Sequence, residues 1–436
     1  MEWWMFLVVL IGGLLLLLAL GIPIAFGFLL INFVGAYFIM GGVSGLNIAV
    51  RQMFSGLTIF ALAPIPLFVL LGEIMLHSGM ATRTLDVLDK WIGRLPGRLS
   101  LMVITGGAFF STLSGSTIAS TAMLGNIMVP EMRNRGYKNP MILGPIIGVG
   151  GLAMLIPPSA LAVFYASLAQ VSVGKVLIAG ALPGILLAIL YACYVVSRCY
   201  LNPQLAPAYT VKHHNLTERI ADLVKYVLPL GIIFFLVLGV IFLGIATPSE
   251  AAATGALGAI LLAFLYRKLN YQVLKRSLLG TLRITIMAFM IIGASQTYSG
   301  LLAFTGATRE LVNLINSLQV SPIVTLTMMM MILLILGTFM DQISMMMITV
   351  PIYIPVITAL GYDPIWFAIL MLLNLEMAMS TPPFGLLLFV MKGVAPPGTT
   401  MADIIRGAIP FLICDLIVMI LLIMFPSIVM FLPSFM

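Results

Sequence analysis

Charge is what this chain of 436 residues has least of: Asp, Glu, Lys and Arg together make up 8% of it, against 62% hydrophobic residues. That balance excludes a soluble core, and a mean hydropathy of +1.18 makes lipid the solvent over most of its length. Cysteine is nearly absent too. Cys193, Cys199 and Cys414 lie in or beside apolar runs at no metal-like spacing, which excludes a disulfide framework and leaves packing as their role. Histidine builds no metal site, since His213 and His214 are neighbours in a hydrophilic stretch without a spaced third ligand. No nucleophile has a base nearby and no phosphate loop occurs, so an intramembrane enzyme would have to rest on Asp341, Glu376 or the pair Glu73 and His77. The formal charge of +7 records membrane topology, and nucleic-acid binding has no support.

What the chain does have is a series of apolar runs punctuated by Gly and Pro. Spans are expected at about 3–20, 24–40, 58–79, 176–198, 225–243, 248–266, 281–300 and 407–431, with interfacial amphipathic stretches at 82–91 and 309–318. The first run lacks a basic start and a small-residue cleavage site, so it is expected to be a retained helix with its tryptophans at the interface.

Two polar islands interrupt this pattern, STLSGST at Ser111 to Thr117 and TFMDQIS at Thr338 to Ser344. A constant offset of 225 residues relates them: Leu113 pairs with Thr338, Ser116 with Asp341, Pro130 with Pro355, Pro157 with Pro382 and Pro158 with Pro383. Pro23 and Pro248 extend the relation towards the start of the chain. Two copies of one unit follow, residues 1–200 and 224–436, joined by a hydrophilic linker at 201–223. Each copy is expected to contain a helical hairpin that enters and leaves the membrane on one side (98–133 and 322–356). A helix broken at proline follows each hairpin (139–170 and 364–392). Basic residues crowd the flanks of the first hairpin (Arg83, Lys90, Arg94, Arg98, Arg133, Arg135, Lys138), whereas no Lys or Arg occurs between Arg309 and Lys392. The hairpins thus open to opposite sides, and the fold expected is an all-α polytopic membrane protein made of two inverted repeats. Paired, interrupted apolar segments in two halves point to a secondary transporter.

Paired hairpins with these tips, each followed by a Pro-broken helix, resemble the large membrane subunit of TRAP (tripartite ATP-independent periplasmic) transporters over nearly the whole chain. That resemblance implies an elevator-type mechanism in a bacterial inner membrane, a sodium gradient, and a periplasmic binding protein that delivers an acidic solute. It also implies a small four-helix membrane subunit, here a separate polypeptide. C4-dicarboxylates and sialic or related sugar acids head the solutes expected. A stand-alone sodium-coupled dicarboxylate or citrate carrier, and an ion channel, are the alternatives.

Sodium needs a cage of oxygens, and unwound carbonyls with Ser or Thr hydroxyls supply one in apolar surroundings. Ser114, Gly115, Ser116 and Thr117 facing Gly150, Gly151 and Pro157 are expected to form one Na+ site. Thr338, Asp341 and Gln342 facing Met379, Ser380 and Thr381 are expected to form its partner, giving two or more transported ions. Asp341 has a second possible role, as a cap of the returning limb. Solute contacts are expected from Ser116, Thr117, Ser159, Asp341, Glu376 and Pro383, with Glu376 open to a role at the second ion site or as acceptor for a neighbouring hydroxyl. Neither tip nor broken helix contains Arg, so a carboxylate would be held by half-helix N-termini, hydroxyls and bound sodium. Glu73 and His77, four apart on one helix, are expected to pair structurally, and Asp415 to make a polar contact with another helix or the small subunit.

Overall fold

A computed structural model describes residues 2–80, 87, 91, 95–114, 117–207, 215–317, 319–338, 340–383 and 385–436; among them no strand occurs. Lipid dictates that outcome, because a backbone in hydrocarbon must satisfy its own hydrogen bonds. Four helices open the chain: α1 (Trp3–Ala19), α2 (Ile24–Ile39), α3 (Val43–Leu57) and α4 (Pro64–His77). The amphipathic stretch expected at 82–91 lies almost wholly outside the described residues. The first hairpin follows as α5 (Arg98–Ser114) and α6 (Thr117–Asn134), then the broken helix as α7 (Asn139–Leu155) and α8 (Ala160–Ala169), then α9 (Val173–Leu201).

After the linker, α10 runs from Leu216 to Phe242 through two π-helical turns, Leu223–Val227 and Phe235–Gly239. Next come α11 (Pro248–Leu265), α12 (Tyr271–Phe304) and the amphipathic α13 (Ala307–Ser317). The second hairpin is α14 (Pro322–Leu336) and α15 (Gln342–Ala359), the second broken helix α16 (Pro364–Ser380) and α17 (Leu386–Val394), and α18 (Met401–Met424) closes the series before the short α19 (Ser427–Met430).

Element boundaries keep the 225-residue offset: α6 and α15 begin at Thr117 and Gln342, α7 and α16 at Asn139 and Pro364, and these last two end at Leu155 and Ser380. Both breaks contain a cis peptide, Pro157-Pro158 and Pro382-Pro383. The returning limb of the second hairpin, 18 residues with mean hydropathy 1.6, is long and apolar enough to cross a membrane by itself.

One departure from the sequence expectation stands out. Residues 43–57 form a helix where none was expected; its mixed apolar and polar faces make it amphipathic rather than a span. Its counterpart is the first half of α12, so α3 and α4 together correspond to one continuous helix of 34 residues. The difference is local chemistry. Pro64 and Pro66 lack amide donors and clash with a preceding turn, so the chain breaks into a 3-10 turn at Phe60–Leu62, whereas residues 283–291 of α12 contain no proline.

Two sets of helices pack densely within themselves, and they also touch each other where α4 meets α5 and α12 meets α15. In the first, α12 lies along α2, α3 and α4, and α11 covers α4. Polar side chains stitch these contacts: Asn32 Nδ2 donates to Ala294 O at 2.6 Å and Thr297 Oγ1 to Ala49 O at 3.2 Å. Glu73 and His77 pair at 3.1 Å on α4, while Ser277 Oγ of α12 donates to Glu73 O. The second group forms around α7 and α16, whose residues 141–155 and 366–380 are all buried. α7 packs on α5, α6 and α18, and α16 packs on α7, α14 and α18. Ser100 Oγ donates to Met141 O at 2.6 Å, Asn374 Nδ2 to Met330 O at 2.8 Å and Trp366 Nε1 to Leu422 O at 2.9 Å.

The charge pattern gives a direct test of orientation. Arg133 and Asp363 are both exposed at the ends of their hairpin units. In a cysteine-free background, Asp363→Cys is expected to react with an impermeant reagent added outside and Arg133→Cys to be protected. Equal labelling of the two positions overturns the opposite orientation of the hairpins.

Candidate functional site

The returning limbs of the two hairpins meet at one carboxyl group. Thr117 and Gln342 are the first residues of α6 and α15. Thr117 Oγ1 donates to Glu376 Oε2 at 3.2 Å, and Gln342 Nε2 donates to the same oxygen at 2.9 Å. Glu376 lies on the last full turn of α16 before its break and is 2% exposed. Two helix N-termini, each the positive end of a backbone dipole, therefore lie beside a single buried acid. Ser380 Oγ donates back to Glu376 O at 2.9 Å, which ties the break to the same turn.

Glycine makes room for this arrangement. A side chain on Gly150 of α7 would overlap both Glu376 Oε1 and Thr117 Cγ2. At the adjacent Gly151 a Cβ would stand 3.2 Å from Tyr191 Oη and 3.5 Å from Asp415 Oδ1. Tyr191 of α9 donates a hydrogen bond to Asp415 of α18, and both are buried. The Gly-Gly pair thus separates two buried acids, one reached by hairpin donors and the other by a phenol. The 225-residue offset relates Gly151 to Glu376, so the chemistry at this centre is unequal by sequence.

Other expected site residues take local partners. Asp341 is the N-cap of α15: Oδ2 accepts from Ile343 N at 3.1 Å and Ser344 N at 3.4 Å, and Ser344 Oγ donates to Oδ1. This is the capping geometry that the sequence left open beside an ion role. Thr338 Oγ1 donates to Ile335 O at 2.7 Å and Thr381 Oγ1 to Met377 O at 2.5 Å. Ser159 caps α8 by accepting from Ala162 N at 3.3 Å. Pro157 is buried, Pro383 exposed. Met379 is buried at the second break; Gly385 returns so closely that a Cβ there would stand 2.5 Å from Met379 O and 2.8 Å from Thr381 O. Gly115, Ser116 and the side chain of Ser114 lie outside the described residues.

Of the residues expected in two separate sites, the structure therefore brings Thr117, Gly150, Gln342 and Glu376 into one. Tyr191 was missed, although its place on α9, the counterpart of α18, was a usable signal for the bond to Asp415. Among the described residues no group of three His, Cys, Asp or Glu side chains is arranged for a metal ion. Oxygen available to a cation at the meeting point comes instead from one carboxyl, one hydroxyl and one amide.

Close approach at Gly150 predicts a sharp steric response. Gly150→Ala is expected to destabilise the protein by about 1–3 kcal/mol, the usual cost of overpacking a core. Gly393→Ala, where nothing stands within 4 Å of the added atom, is the control and is expected to leave thermal unfolding in detergent unchanged. Equal melting temperatures for the two variants contradict the packing described.

Comparison with known proteins gives the arrangement its family. The model of the tripartite ATP-independent periplasmic transporter DctM component matches residues 11–428. The C4-dicarboxylate TRAP transporter large permease protein DctM of Pseudomonas aeruginosa is 32% identical over 378 residues, covering 86% of each chain. The sialic acid TRAP transporter large permease protein SiaM of Vibrio cholerae is 31% identical over 432 residues, covering 97% of each. A solved structure, the Alcanivorax borkumensis YdaH transporter, shares the fold at a TM-score of 0.64 and 16% identity, covering 89% of this chain and 90% of that one. With a family match spanning nearly its whole length and helices of the length and apolarity that membranes require, the chain belongs to the large permease subunits of TRAP transporters.

Proposed function

We propose that this subunit carries out sodium-coupled import of an organic acid across a bacterial inner membrane. It works with a small four-helix membrane component and a periplasmic binding protein that hands over the solute. The observation that carries this reading is the convergence of Thr117 and Gln342 on Glu376, because it places two half-helix N-termini and a set of oxygens together inside an apolar protein. Sodium would take its ligands from the two tips and the breaks beside them. Ser114, Gly115, Ser116 and Thr117 would act with Gly150, Gly151 and Pro157, and Thr338, Asp341 and Gln342 with Met379, Ser380 and Thr381.

Relatives named for C4-dicarboxylate and sialic acid transport support a carboxylate solute. In the absence of Arg from tips and breaks, its charge would be met by the helix N-termini and by sodium itself. The packing into two groups supports an elevator motion in which α5 to α9 and α14 to α18 move against α1 to α4 and α10 to α12, as inverted copies of one unit. Co-purification of a four-helix partner tests the assembly against a stand-alone carrier.

Sodium binding can be read without knowing the solute. The melting temperature of the purified protein is expected to rise with sodium relative to potassium at equal ionic strength, as any ligand of the folded state requires. Asp341→Asn keeps a competent cap, since Asn and Asp serve equally there. It is expected to express normally and to need about tenfold more sodium for the same rise, a loss of ~1.4 kcal/mol. Ser116→Ala is expected to give the milder shift. An unchanged sodium dependence in Asp341→Asn makes the carboxylate a cap alone, and equal stabilisation by potassium rejects sodium as the ion. Vesicle uptake of C4-dicarboxylate or sialic acid, with and without binding protein, completes the test.

A further inference from the structure

Away from the meeting point, a cavity of about 440 Å3 opens between the second hairpin and the first helix of the chain. Apolar stripes on three helices wall it, from Leu7 to Leu15 on α1, from Thr325 to Leu336 on α14 and from Ile348 to Val356 on α15, and the apolar face of α13 lines it as well. Interiors are close-packed, so a void of this size needs an occupant. Water does not suit it. Two of the three hydroxyls on the wall are already taken, since Thr349 Oγ1 donates to Met345 O at 2.7 Å and Tyr353 Oη to Met329 O at 3.0 Å, and an apolar void offers water no partners. Hydrocarbon is what the surroundings supply. Leu15, Met328 and Ile332 on the edge are exposed, so the cavity opens to the bilayer. At 1.5 Å per residue the wall formed by residues 325–336 rises ~16 Å, about half of the roughly 30 Å of hydrocarbon in a membrane, which is the depth of one leaflet. The first copy covers the same limb with protein instead: α5 packs on α4, α7 and α9, whereas α14 packs mainly on α15 and α16. By the 225-residue offset Val103 of α5 corresponds to Met328 of α14, and the first is 0% exposed, the second 59%.

We propose that this cavity is a phospholipid site that takes one acyl chain from the leaflet the second hairpin enters. The chain lies along α14 between α1 and α15, with its glycerol and head group at the level of the amphipathic α13, a helix of the kind that rests at the interface. It gives α14 the cover that α9 gives α5. Because α1 packs on α2 and the hairpin limbs pack on α16, the bound chain is packing shared by the two sets of helices. The proposal goes beyond solute and sodium transport and rests on neither, since the ligand is the hydrocarbon of the membrane itself.

Photolabelling reads the site directly, whether or not transport is measured. The full-length protein is placed in nanodiscs of phosphatidylethanolamine and phosphatidylglycerol doped with a phospholipid that carries a diazirine near the end of one acyl chain, and adducts are mapped by mass spectrometry. Wild type is expected to carry adducts at Met329 and Tyr353, which are buried and out of reach of lipid that merely surrounds the protein. Leu257 and Leu261 on the exposed face of α11 report that ordinary contact. Ile352→Trp fills the cavity from α15 and Leu15→Trp fills it from α1. Each is expected to abolish the adducts at Met329 and Tyr353 while α11 labels as before, which also shows the variant to be folded and inserted. The proposal is overturned if wild type is labelled on α11 but not at Met329 or Tyr353, the result that a covering protein chain or a closed cavity gives. It is equally overturned if the two filled variants label at Met329 and Tyr353 as wild type does. The substitutions stand on opposite walls, so either one decides should the other fold poorly.

Discussion

One oxygen atom, Oε2 of Glu376, accepts hydrogen bonds from the first residue of both returning limbs, and much of the molecule is shaped by that contact. A donor buried in an apolar protein is costly to leave unpaired, so both limbs must begin where they do and α16 must carry its acid one turn before its break. α7 must present Gly150 at the crossing, since a side chain there would displace the carboxyl, and Gly151 beside it lets the Tyr191 and Asp415 pair approach closely. The starts of both limbs and the glycine at the crossing are thus tied to one polar contact.

The few acids in the chain divide by environment. Glu250, Asp341, Asp363 and Asp403 sit at helix starts, where each accepts backbone amide bonds that the first turn cannot satisfy internally. Glu250 and Asp403 complete capping boxes with Thr247 and Thr400. Glu376 and Asp415 are different, since they lie within their helices, past the first turn, among buried neighbours and receive side-chain donors from other helices. An acid in the first class shapes its own helix; one in the second joins several.

Much of this was legible in the sequence because proline and polar residues in an apolar chain mark interruptions so clearly. Pro157, Pro158, Pro382 and Pro383 marked both breaks, whereas Thr117 and Gln342, read from the sequence as residues of the tips, turn out to be the first residues of their helices. Three features were hidden. α3 escaped because an amphipathic helix with interspersed glycine lacks the continuous apolar run that signals a span. The π turns in α10 carry no residue signature. The meeting at Glu376 escaped because the offset relates Thr117 to Gln342 but pairs Glu376 with Gly151. The offset points to positions with like residues, and this centre depends on a pair, Gly151 and Glu376, that are unlike.

The correspondence between α12 and the pair α3 and α4 has a mechanical consequence. At 1.5 Å per residue, 34 unbroken residues make a rod of about 51 Å, well beyond the roughly 30 Å of hydrocarbon in a bilayer. Such a helix must tilt or project into the interface, and it transmits bending along its whole length. Its counterpart is severed at residues 58–63 and carries load only as far as that joint. The stretch of chain that is one unbroken strut in α12 is thus, 225 residues earlier, two helices joined at a hinge-like turn.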